Sequence, residues 1–340
     1  MNSLGKNFVF TSFGESHGRA IGGVLDGVPA GVRIDLDMIR QALDKRAGRI
    51  APSLEDGCAY NLEFKGEGIS PRARRERDEV EWLSGVLNGV TLGTPIAFII
   101  RNADARSEDY DWLKHNYRPG HADQTYQEKY GVRDHRGGGR ASARETASRV
   151  VAGAIAQQLL VEKGIHISAQ LVQVGSETNS DNFAQYIADI QQEGDSIGGV
   201  VECIITGLPV GLGEPIFDKL QSHLAYAMMS INACKGFEYG SGFSGVGLKG
   251  SEMYLSRDSQ LISGGIAGGI SDGSPIVFRC VFKPTATNRK TLETLHSTLN
   301  SQLSTLKLGR HDACVAVRAV AVVEAMAALV VQDFFYARVV

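Results

Sequence analysis

The chain has 340 residues, of which 43% are hydrophobic and 21% are charged, and its net charge at pH 7 is −3. This composition indicates an ordinary globular protein with a sizeable core, and its slightly acidic balance argues against a nucleic-acid partner. The five cysteines are scattered without a Cys-x-x-Cys pair, which argues against zinc and against a disulfide framework and favours a reducing cytoplasm. The N-terminal residues contain no apolar signal segment, so the sequence predicts a cytoplasmic protein. It also predicts no metal site.

The first part of the chain predicts two short strands and one amphipathic helix. The strands, residues 7–11 and 20–28, flank the motif GESHG at 14–18. Glycines on both sides of this motif favour a rigidly held imidazole, so His17 is either a catalytic group or a structural residue. The helix spans residues 35–48, and its last turn contains Arg46. This basic turn either compensates the helix dipole or forms an anion clamp.

The remaining elements alternate between strands and helices around a polar loop at 102–117. Further strands are predicted at residues 79–89, 94–101, 165–174, 198–206 and 276–282, with a turn at 89–93. Helices are predicted at residues 181–193, 216–233 and 290–306, and in the apolar tract 313–331. Arg318 and Glu324 interrupt this tract, which therefore indicates a buried helix and not a membrane span. Two G-x-G-x-x-G matches between 240 and 250 do not open an amphipathic helix, so they do not indicate a dinucleotide site.

Residues 117–163 carry the clearest functional signal. Their centre, RDHRGGGRASARE, places arginines on both sides of three consecutive glycines. Ser142 and Glu145 have the spacing of a capping box, which would open a helix that continues to a stop signal at Gly164. A glycine turn before a helix N-terminus suits an anion, and guanidinium groups favour phosphate or carboxylate. A disordered RNA-binding segment and a plain structural turn are the alternatives.

Two further loops carry titratable side chains. The motif PGHAD at 119–123 places His121 and Asp123 in a predicted loop before the glycine turn. The motif GRHD at 309–312 places Asp312 next to cationic neighbours at a loop-to-helix junction. Asp312 is therefore either a tuned proton-transfer group or a helix cap.

Seven motifs, spread in order over nearly the whole chain, resemble those of the chorismate synthase family. They are GESHG (14–18), RPGHAD (118–123), RGGGRASARE (136–145), INACKG (231–236), GGISDG (268–273), KPTAT (283–287) and GRHDAC (309–314). The resemblance implies one α+β domain over residues 1–340, with helices sandwiched between antiparallel β-sheets, that assembles as a homotetramer. It also implies a small-molecule substrate and neither a nucleic-acid nor a membrane partner.

The implied activity is that of a lyase in the shikimate pathway of aromatic amino acid biosynthesis. The enzyme would convert 5-enolpyruvylshikimate 3-phosphate to chorismate by an anti-1,4-elimination of phosphate and the C6 hydrogen. The resemblance implies a requirement for reduced FMN, although no net redox change occurs, with NADPH as the indirect source of electrons. No reductase motif is evident, so we expect a monofunctional enzyme that receives reduced flavin from outside.

The resemblance also implies roles for individual residues. His17 matches the histidine that protonates the departing phosphate, His121 the histidine beside the flavin ring, and Asp312 the carboxylate that assists removal of the C6 proton. Ser16 and Ser142 match hydroxyl groups beside the reacting centre. The implied FMN contacts are Arg140, Ala141, Ser142, Asn232, Ala233, Gly268, Lys283, Pro284, Thr285, Ala286, Thr287 and Arg310. The implied substrate-clamping arginines are Arg46, Arg49 and Arg144, and the block around Arg46 is also assigned to nicotinamide binding.

The chain departs from the family pattern at several positions. Ala141 stands where the family has serine, Cys234 where it has an aliphatic residue, and Ala313 where it has proline. Residues 45–71 do not follow the usual basic turn. Two rival hypotheses stay open: a phosphoanion-binding regulatory protein and an RNA-binding protein. Retention of both histidines and the aspartate disfavours the first, and retention on heparin would detect the second.

Overall fold

The structure is a computed structural model that describes residues 1–48, 78–103, 107–255, 262–291 and 312–339. The strands are β1 (Ser3–Leu4), β2 (Val9–Phe13), β3 (Ala20–Asp26), β4 (Ala30–Arg33), β5 (Glu81–Ser84), β6 (Val86–Leu87), β7 (Val90–Leu92), β8 (Ile96–Arg101), β9 (His166–Val174), β10 (Gly199–Thr206), β11 (Cys234–Tyr239), β12 (Ile266–Ala267), β13 (Ile270–Ser271) and β14 (Ile276–Phe282). The helices are α1 (Leu36–Ala47), α2 (Asp123–Tyr130), α3 (Thr146–Val161), α4 (Phe183–Gln192), α5 (Leu220–Met229), α6 (Gly250–Leu255) and α7 (Ala316–Val339). Arg49, Arg310 and most of the predicted helix 290–306 lie outside the described residues.

Two antiparallel sheets frame the molecule. The first has the strand order β1-β2-β3-β8-β5, and the second has the order β11-β14-β10-β9. Burial alternates along β8 and β10, so each large sheet keeps one face towards the core. The small sheets β4-β7-β6 and β12-β13 add short antiparallel pairs.

Helices α3 and α7 occupy the space between the two large sheets. Helix α3 packs against β2 and β3 of the first sheet and against β9 of the second, while α7 packs against β9 and β10. The two helices cross at Gly153, where an added Cβ would lie 2.4 Å from the Cα of Ala325, so this approach requires a residue without a side chain. The predicted fold class, α+β with helices between antiparallel sheets, is confirmed.

Local sequence signals explain where the site-bearing helices begin and end. The Asp35 carboxylate accepts hydrogen bonds from the backbone N–H groups of Asp37 and Met38, both at 2.9 Å, so Asp35 and not Asp37 is the N-cap of α1. Gly48 ends this helix in the left-handed region at φ 73°. The apolar residues of α3 that recur with helical spacing are all buried: Ala147, Val150, Val151, Ala154, Ile155 and Leu159.

The predicted capping box at the start of α3 is wrong. Ser142 Oγ accepts from Arg144 N at 3.4 Å, but the Glu145 carboxylate pairs with Arg149 Nη2 one turn later at 2.8 Å. A 3-10 turn, Ala143–Glu145, precedes the helix, which begins at Thr146. The arginine competes successfully for Glu145 because a charge-assisted contact is stronger than a bond to a neutral backbone N–H.

Several predicted boundaries also need correction. The strand predicted at 79–89 is interrupted at Gly85, whose φ of 78° breaks the extended backbone and separates β5 from β6. The turn predicted at 89–93 contains β7, and the loop predicted at 102–117 contains a 3-10 helix, Ser107–Lys114. A helix of only six residues does begin at Gly250. All strand pairs of the described ranges are antiparallel, so the parallel unit of a dinucleotide fold is missing from them.

The predicted apolar helix at the C-terminal end is α7, and it is a core helix. The segment Ala316–Ala337 is long and apolar enough to cross a membrane, but 78% of its most apolar window is buried inside the fold. Its Glu324 carboxylate binds Lys45 Nζ at 2.7 Å and the backbone N–H of Ala169 at 2.8 Å. These two contacts fix α7 to α1 and β9, which is the packing expected of a buried helix.

Candidate active site

The glycine turn lies directly against His17. The His17 Nδ1 atom is 3.0 Å from Ser16 Oγ, and the imidazole packs edge-on against the Tyr110 ring at a centroid distance of 4.8 Å. A Cβ on Gly137 would lie 2.0 Å from His17 Nδ1, so a side chain at this position would displace the imidazole. The first glycine of the run is therefore required both by its φ of 61° and by the position of His17.

The other side of the glycine turn is anchored to the first sheet and to the segment after α5. Arg140 Nη2 donates to Ser12 Oγ at 2.6 Å, and Arg140 Nη1 donates to the Gly14 carbonyl at 3.2 Å. Asn232 Nδ2 donates to the Ala141 carbonyl at 2.9 Å. Because this contact uses the backbone of residue 141, alanine in place of the family's serine leaves it intact.

Two buried arginines meet beside this turn at a carboxylate that sequence analysis missed. Arg46 Nε donates to Thr146 Oγ1 at 3.0 Å, and Arg46 Nη2 donates to the Ala143 carbonyl at 2.7 Å. Arg144 Nε donates to Asn102 Oδ1 at 3.0 Å. The Asp78 carboxylate accepts from Arg144 Nη1 and lies 3.6 Å from Arg46 Nη1. The predicted anion clamp is therefore an ion cluster in which one carboxylate serves two guanidinium groups.

Burial lowers the pKa of the Arg46 guanidinium from its ordinary value to about 9, and repulsion by Arg318 and Arg144 adds to this effect while Asp78 opposes it. The group stays cationic near neutral pH, and a further negative charge beside it would be stabilised. Asn102 connects this cluster to the His17 loop, because its Nδ2 donates to the carbonyls of Glu15 and Gly18, each at 3.0 Å.

Among the described residues, Arg318 of α7 holds the carboxylate of Asp312. Arg318 Nη1 donates to Asp312 Oδ2 at 3.0 Å, while Arg318 Nε donates to the Arg46 carbonyl at 3.2 Å. Helix α7 begins at Ala316, so Asp312 lies too far before it to cap its first turn. The predicted cationic neighbours, Arg310 and His311, lie outside the described residues, and the described partner of the carboxylate is Arg318.

His121 lies against the loop that follows β14. The His121 Nε2 atom is 2.6 Å from Thr287 Oγ1, and Lys283 Nζ donates to the Gly120 carbonyl at 3.1 Å. The same loop reaches Asp312, because Thr285 Oγ1 donates to the Asp312 carbonyl at 3.0 Å. Residues 283–287 therefore join the loop of His121 to the start of the last helix.

Asp123, predicted in a loop, instead begins α2 and is buried against Arg118. Its carboxylate accepts from Arg118 Nε at 2.8 Å and from Arg118 Nη2 at 2.9 Å. Burial raises the pKa of Asp123, but the hydrogen bonds and charge of Arg118 outweigh it and leave that pKa below its usual range. The residue therefore stabilises the loop that carries His121 and is itself already paired.

His17, Arg144, Arg46 and Asp312 thus belong to one connected set. Contacts run from the His17 loop, at the carbonyls of Glu15 and Gly18, through Asn102 to Arg144, from there through Asp78 to Arg46, and from Arg46 through Arg318 to Asp312. Gly268 lies in the turn between β12 and β13. The carbonyl of the next residue, Gly269, accepts from Leu220 N at 2.8 Å, which places this turn at the start of α5. Among the described residues, no group of three His, Cys, Asp or Glu side chains could hold a metal ion.

Three residues of the cluster were missed because their sequence signals are weak. Asp78 follows a highly charged segment that reads as a surface excursion, and Asn102 follows a strand at the start of a polar loop. Arg318 occupies a position on the apolar face of the last helix. A charged residue on an otherwise apolar helix face is the one usable signal, because such a residue must be paired when it is buried.

Three of the residues implied for FMN, Asn232, Ala233 and Gly268, have features that suit a bound ligand. Asn232 Oδ1 is buried and has no hydrogen-bond partner within the described part of the chain, so it is available to a ligand. Ala233 has a φ of 67°, which is unusual for a residue with a side chain and typical of functional sites. A Cβ added at Gly268 would meet no atom within 4 Å, so the space beside this glycine is open. The described residues therefore fit a polar ring system, and Arg310 lies outside them.

Comparison with known proteins gives one consistent result. The family model described as chorismate synthase matches residues 8–336. The chorismate synthases of Christiangramia forsetii and Bacteroides thetaiotaomicron are each 46% identical to this chain, over 98% of it and 97% of their own length. A solved structure titled as the crystal structure of chorismate synthase superposes with a TM-score of 0.72 at 28% identity, covering 98% of this chain and 93% of its own.

The match covers nearly the whole chain, and several of the family's motifs lie in contact in the structure. Both findings argue against a binding protein of another class. Chorismate synthases are lyases of aromatic amino acid biosynthesis that act on a small molecule. The chain belongs to the chorismate synthase family.

Proposed function

We propose that this enzyme converts 5-enolpyruvylshikimate 3-phosphate to chorismate in an FMN-dependent anti-1,4-elimination, with reduced FMN supplied from outside and NADPH as its indirect electron source. The observation that supports this most directly is the buried pair Arg46 and Arg144, whose side chains are 4% and 7% exposed and connect to both His17 and Asp312. Buried guanidinium groups next to two proton-transfer groups suit the departure of an anion coupled to loss of a proton.

His17 would protonate the departing phosphate. Histidine is the side chain whose ordinary pKa allows proton donation near neutral pH. Ser16 Oγ lies within hydrogen-bond distance of Nδ1 at one edge of the ring, and Gly137 of the glycine turn packs against the same edge, so the imidazole is held in one place. Ser142, at the end of the same turn, would supply a second hydroxyl group beside the reacting centre.

Arg46, Arg144 and Arg49 would bind the negative charges of the substrate. As the bond between carbon and the phosphate oxygen breaks, its electron pair leaves with the phosphate. The electron pair of the C6–H bond forms a new double bond, the ring double bond shifts, and the proton leaves. Guanidinium groups in a buried site stabilise the growing charge on the phosphate.

Asp312 would assist removal of the C6 proton. Arg318 holds one carboxylate oxygen of Asp312 and is itself held by the Arg46 carbonyl, so the base and the anion clamp share one support. This coupling would keep the Asp312 carboxylate and the arginines in a fixed arrangement relative to each other.

Asn232, Ala233, Gly268, residues 283–287 and the 140–142 turn would hold FMN, with Arg310. Bound reduced FMN would supply the electronic assistance that the elimination requires without net redox change. His121, bonded to Thr287, would stand beside the flavin and stabilise its anionic reduced form.

The second sheet supports the proposed homotetramer. The face of this sheet opposite the helices, defined by Val200, Glu202, Arg279 and Val281, is here called the open face. Val281 is 44% exposed on it, and Phe243 and Val246 beyond β11 are 84% and 94% exposed. Exposed apolar side chains of this kind mark interaction surfaces. We also propose that residues 1–340 form one domain located in the cytoplasm.

The decisive experiment is turnover of 5-enolpyruvylshikimate 3-phosphate with photoreduced FMN under anaerobic conditions, followed by chorismate absorbance and phosphate release. We expect one phosphate released per chorismate formed, and no product when FMN is left oxidised. Phosphate release without chorismate, or equal turnover with oxidised FMN, would contradict the proposal.

A further inference from the structure

Asp78 places a negative charge between the two arginines that the proposed function assigns to the substrate. Its side chain is 8% exposed, and both guanidinium groups beside it are at least as deeply buried. Its carboxylate accepts from Arg144 Nη1 and lies within ion-pair distance of Arg46 Nη1. Asp78 therefore occupies the place where an oxyanion of the substrate would meet both arginines.

The Nε and Nη2 nitrogens of both arginines donate hydrogen bonds to the protein. Arg46 uses Nε for Thr146 Oγ1 and Nη2 for the Ala143 carbonyl. Arg144 uses Nε for Asn102 Oδ1 and Nη2 for the Arg101 carbonyl at 3.3 Å. In both residues the Nη1 group is the one that faces Asp78. The pair of Nη1 groups forms a two-pronged oxyanion site whose orientation is fixed by these four contacts, two to side chains and two to backbone carbonyls.

Charge explains why this site holds a carboxylate of the protein. Two guanidinium groups buried side by side repel each other, and an anion between them removes much of that cost. Asp78 brings one negative charge, whereas a phosphate group brings up to two and offers three oxygens for hydrogen bonds. A phosphorylated or carboxylated ligand can therefore replace Asp78, although it must compete with it.

We propose that Asp78 is an internal counter-anion that holds the Nη1 groups of Arg46 and Arg144 until an oxyanion of the substrate, its phosphate or a carboxylate, displaces it. In this role Asp78 determines affinity and discriminates against weakly charged ligands, and it takes no part in bond breaking. The inference rests on the proposed function, because that function supplies the ligand.

Binding of simple oxyanions to the Asp78→Asn variant tests this directly. The probes are inorganic phosphate and shikimate, which has a carboxylate but no phosphate, titrated separately by calorimetry. Removing the competing charge is expected to tighten binding about tenfold. A gain for phosphate alone identifies the phosphate as the displacing group, and a gain for shikimate alone identifies a carboxylate. Asp218→Asn, which removes the partner of Lys6 in an exposed ion pair, is the matched control and should change neither affinity.

Unchanged or weaker binding of both probes would overturn the inference, because Asp78 would then serve only to align the arginines. Asp78→Ser provides a second variant without the charge. If circular dichroism shows that neither variant folds, phosphate-soaked crystals of the wild-type enzyme decide: phosphate should contact both Nη1 groups with Asp78 moved aside. Asp78 retained between the arginines, with no phosphate there, would refute the proposal.

Chorismate formation by the wild-type enzyme is measured in parallel. If it forms no chorismate, the proposed function fails whatever the binding data show. If it forms chorismate but Asp78→Asn binds both probes as the wild type does, only the inference about Asp78 fails.

Discussion

Arginines pair with carboxylates in two regions of this protein that differ mainly in burial. In the buried cluster, Arg46 and Arg144 share Asp78. On the open face of the second sheet, Arg279 lies across neighbouring strands from Glu202 at 2.9 Å and Glu238 at 3.5 Å. Water screens and can replace the contacts of Arg279, whose side chain is 37% exposed. In the buried cluster, removing one member leaves an unpaired charge, so the same chemistry becomes far more consequential.

Neutralising a member of each region should give the largest contrast. We expect Arg144→Gln to lower kcat/KM by about a thousandfold, because it removes both a donor to the departing anion and the partner of Asp78. Arg279→Gln, on the open face, should stay within about twofold of the wild type. Steady-state kinetics on both variants checks this. Comparable losses in the two would show that burial does not decide the effect.

Alanine at Gly137 of the glycine turn should show whether a loss of kcat comes from a steric clash with His17 or from backbone strain. Gly137→Ala is expected to lower kcat about a hundredfold, because its Cβ would lie 2.0 Å from His17 Nδ1. Gly131→Ala is the matched control, since Gly131 has a similar positive φ of 73° but an added Cβ there meets no atom within 4 Å. It should cost about 1 kcal/mol in stability and leave kcat unchanged. Kinetics and urea unfolding measure the two effects, and an equal loss of kcat in both would assign it to strain.

Removal of the support of Asp312 should have a smaller effect on the reaction. We expect Arg318→Met to lower kcat about thirtyfold with little change in KM, because the carboxylate keeps its place in the chain but loses its orientation. Arg318→Lys should restore part of the rate. Initial rates over a range of substrate concentrations test this. A rise in KM at constant kcat would instead make Arg318 part of the substrate clamp.

The open face offers a test of assembly in place of catalysis. Val281→Lys puts a charge on the exposed apolar part of this face, and we expect the proposed tetramer to dissociate at protein concentrations about tenfold higher than in the wild type. Light scattering during size-exclusion chromatography measures the change. Thr206→Lys, at the exposed end of β10, is the control. A stable tetramer in both variants would exclude this face as the interface.

The last prediction concerns the Arg118–Asp123 pair and the pH dependence of the free energy of unfolding. Since the folded-state pKa of Asp123 is lowered, its stabilisation is complete above the unfolded pKa of about 3.9 and is lost as pH falls through the folded value. Asp123→Asn should therefore cost about 2 kcal/mol at pH 7, and the difference from wild type should narrow below about pH 4. Glu81→Gln removes a similar but exposed pair with Arg101 and should have a smaller effect. Urea unfolding between pH 7 and 3 checks both.

Much of the site could be read from short motifs because each combines residues with a local physical purpose. Glycines before a helix, a histidine between glycines and an aspartate before an apolar helix are local patterns, and the structure connects them through Asn102, Asp78 and Arg318. Strand boundaries were less predictable at residues 79–93, because Gly85 breaks a run in which Val80, Trp82 and Val86 favour extended backbone. The Ser142 and Glu145 spacing misled for another reason, since it does not reveal that Arg149 claims Glu145.

The sequence by itself determined the alternation of elements, the buried face of α3 and the family. Only the tertiary structure decided that Asp78 stands between Arg46 and Arg144, that Arg318 supports Asp312, and that Asn102 ties Arg144 to the His17 loop. Each of these contacts joins residues from separate elements. Short-range patterns report the backbone of one element, whereas the partner of a buried charge is chosen by which elements pack together.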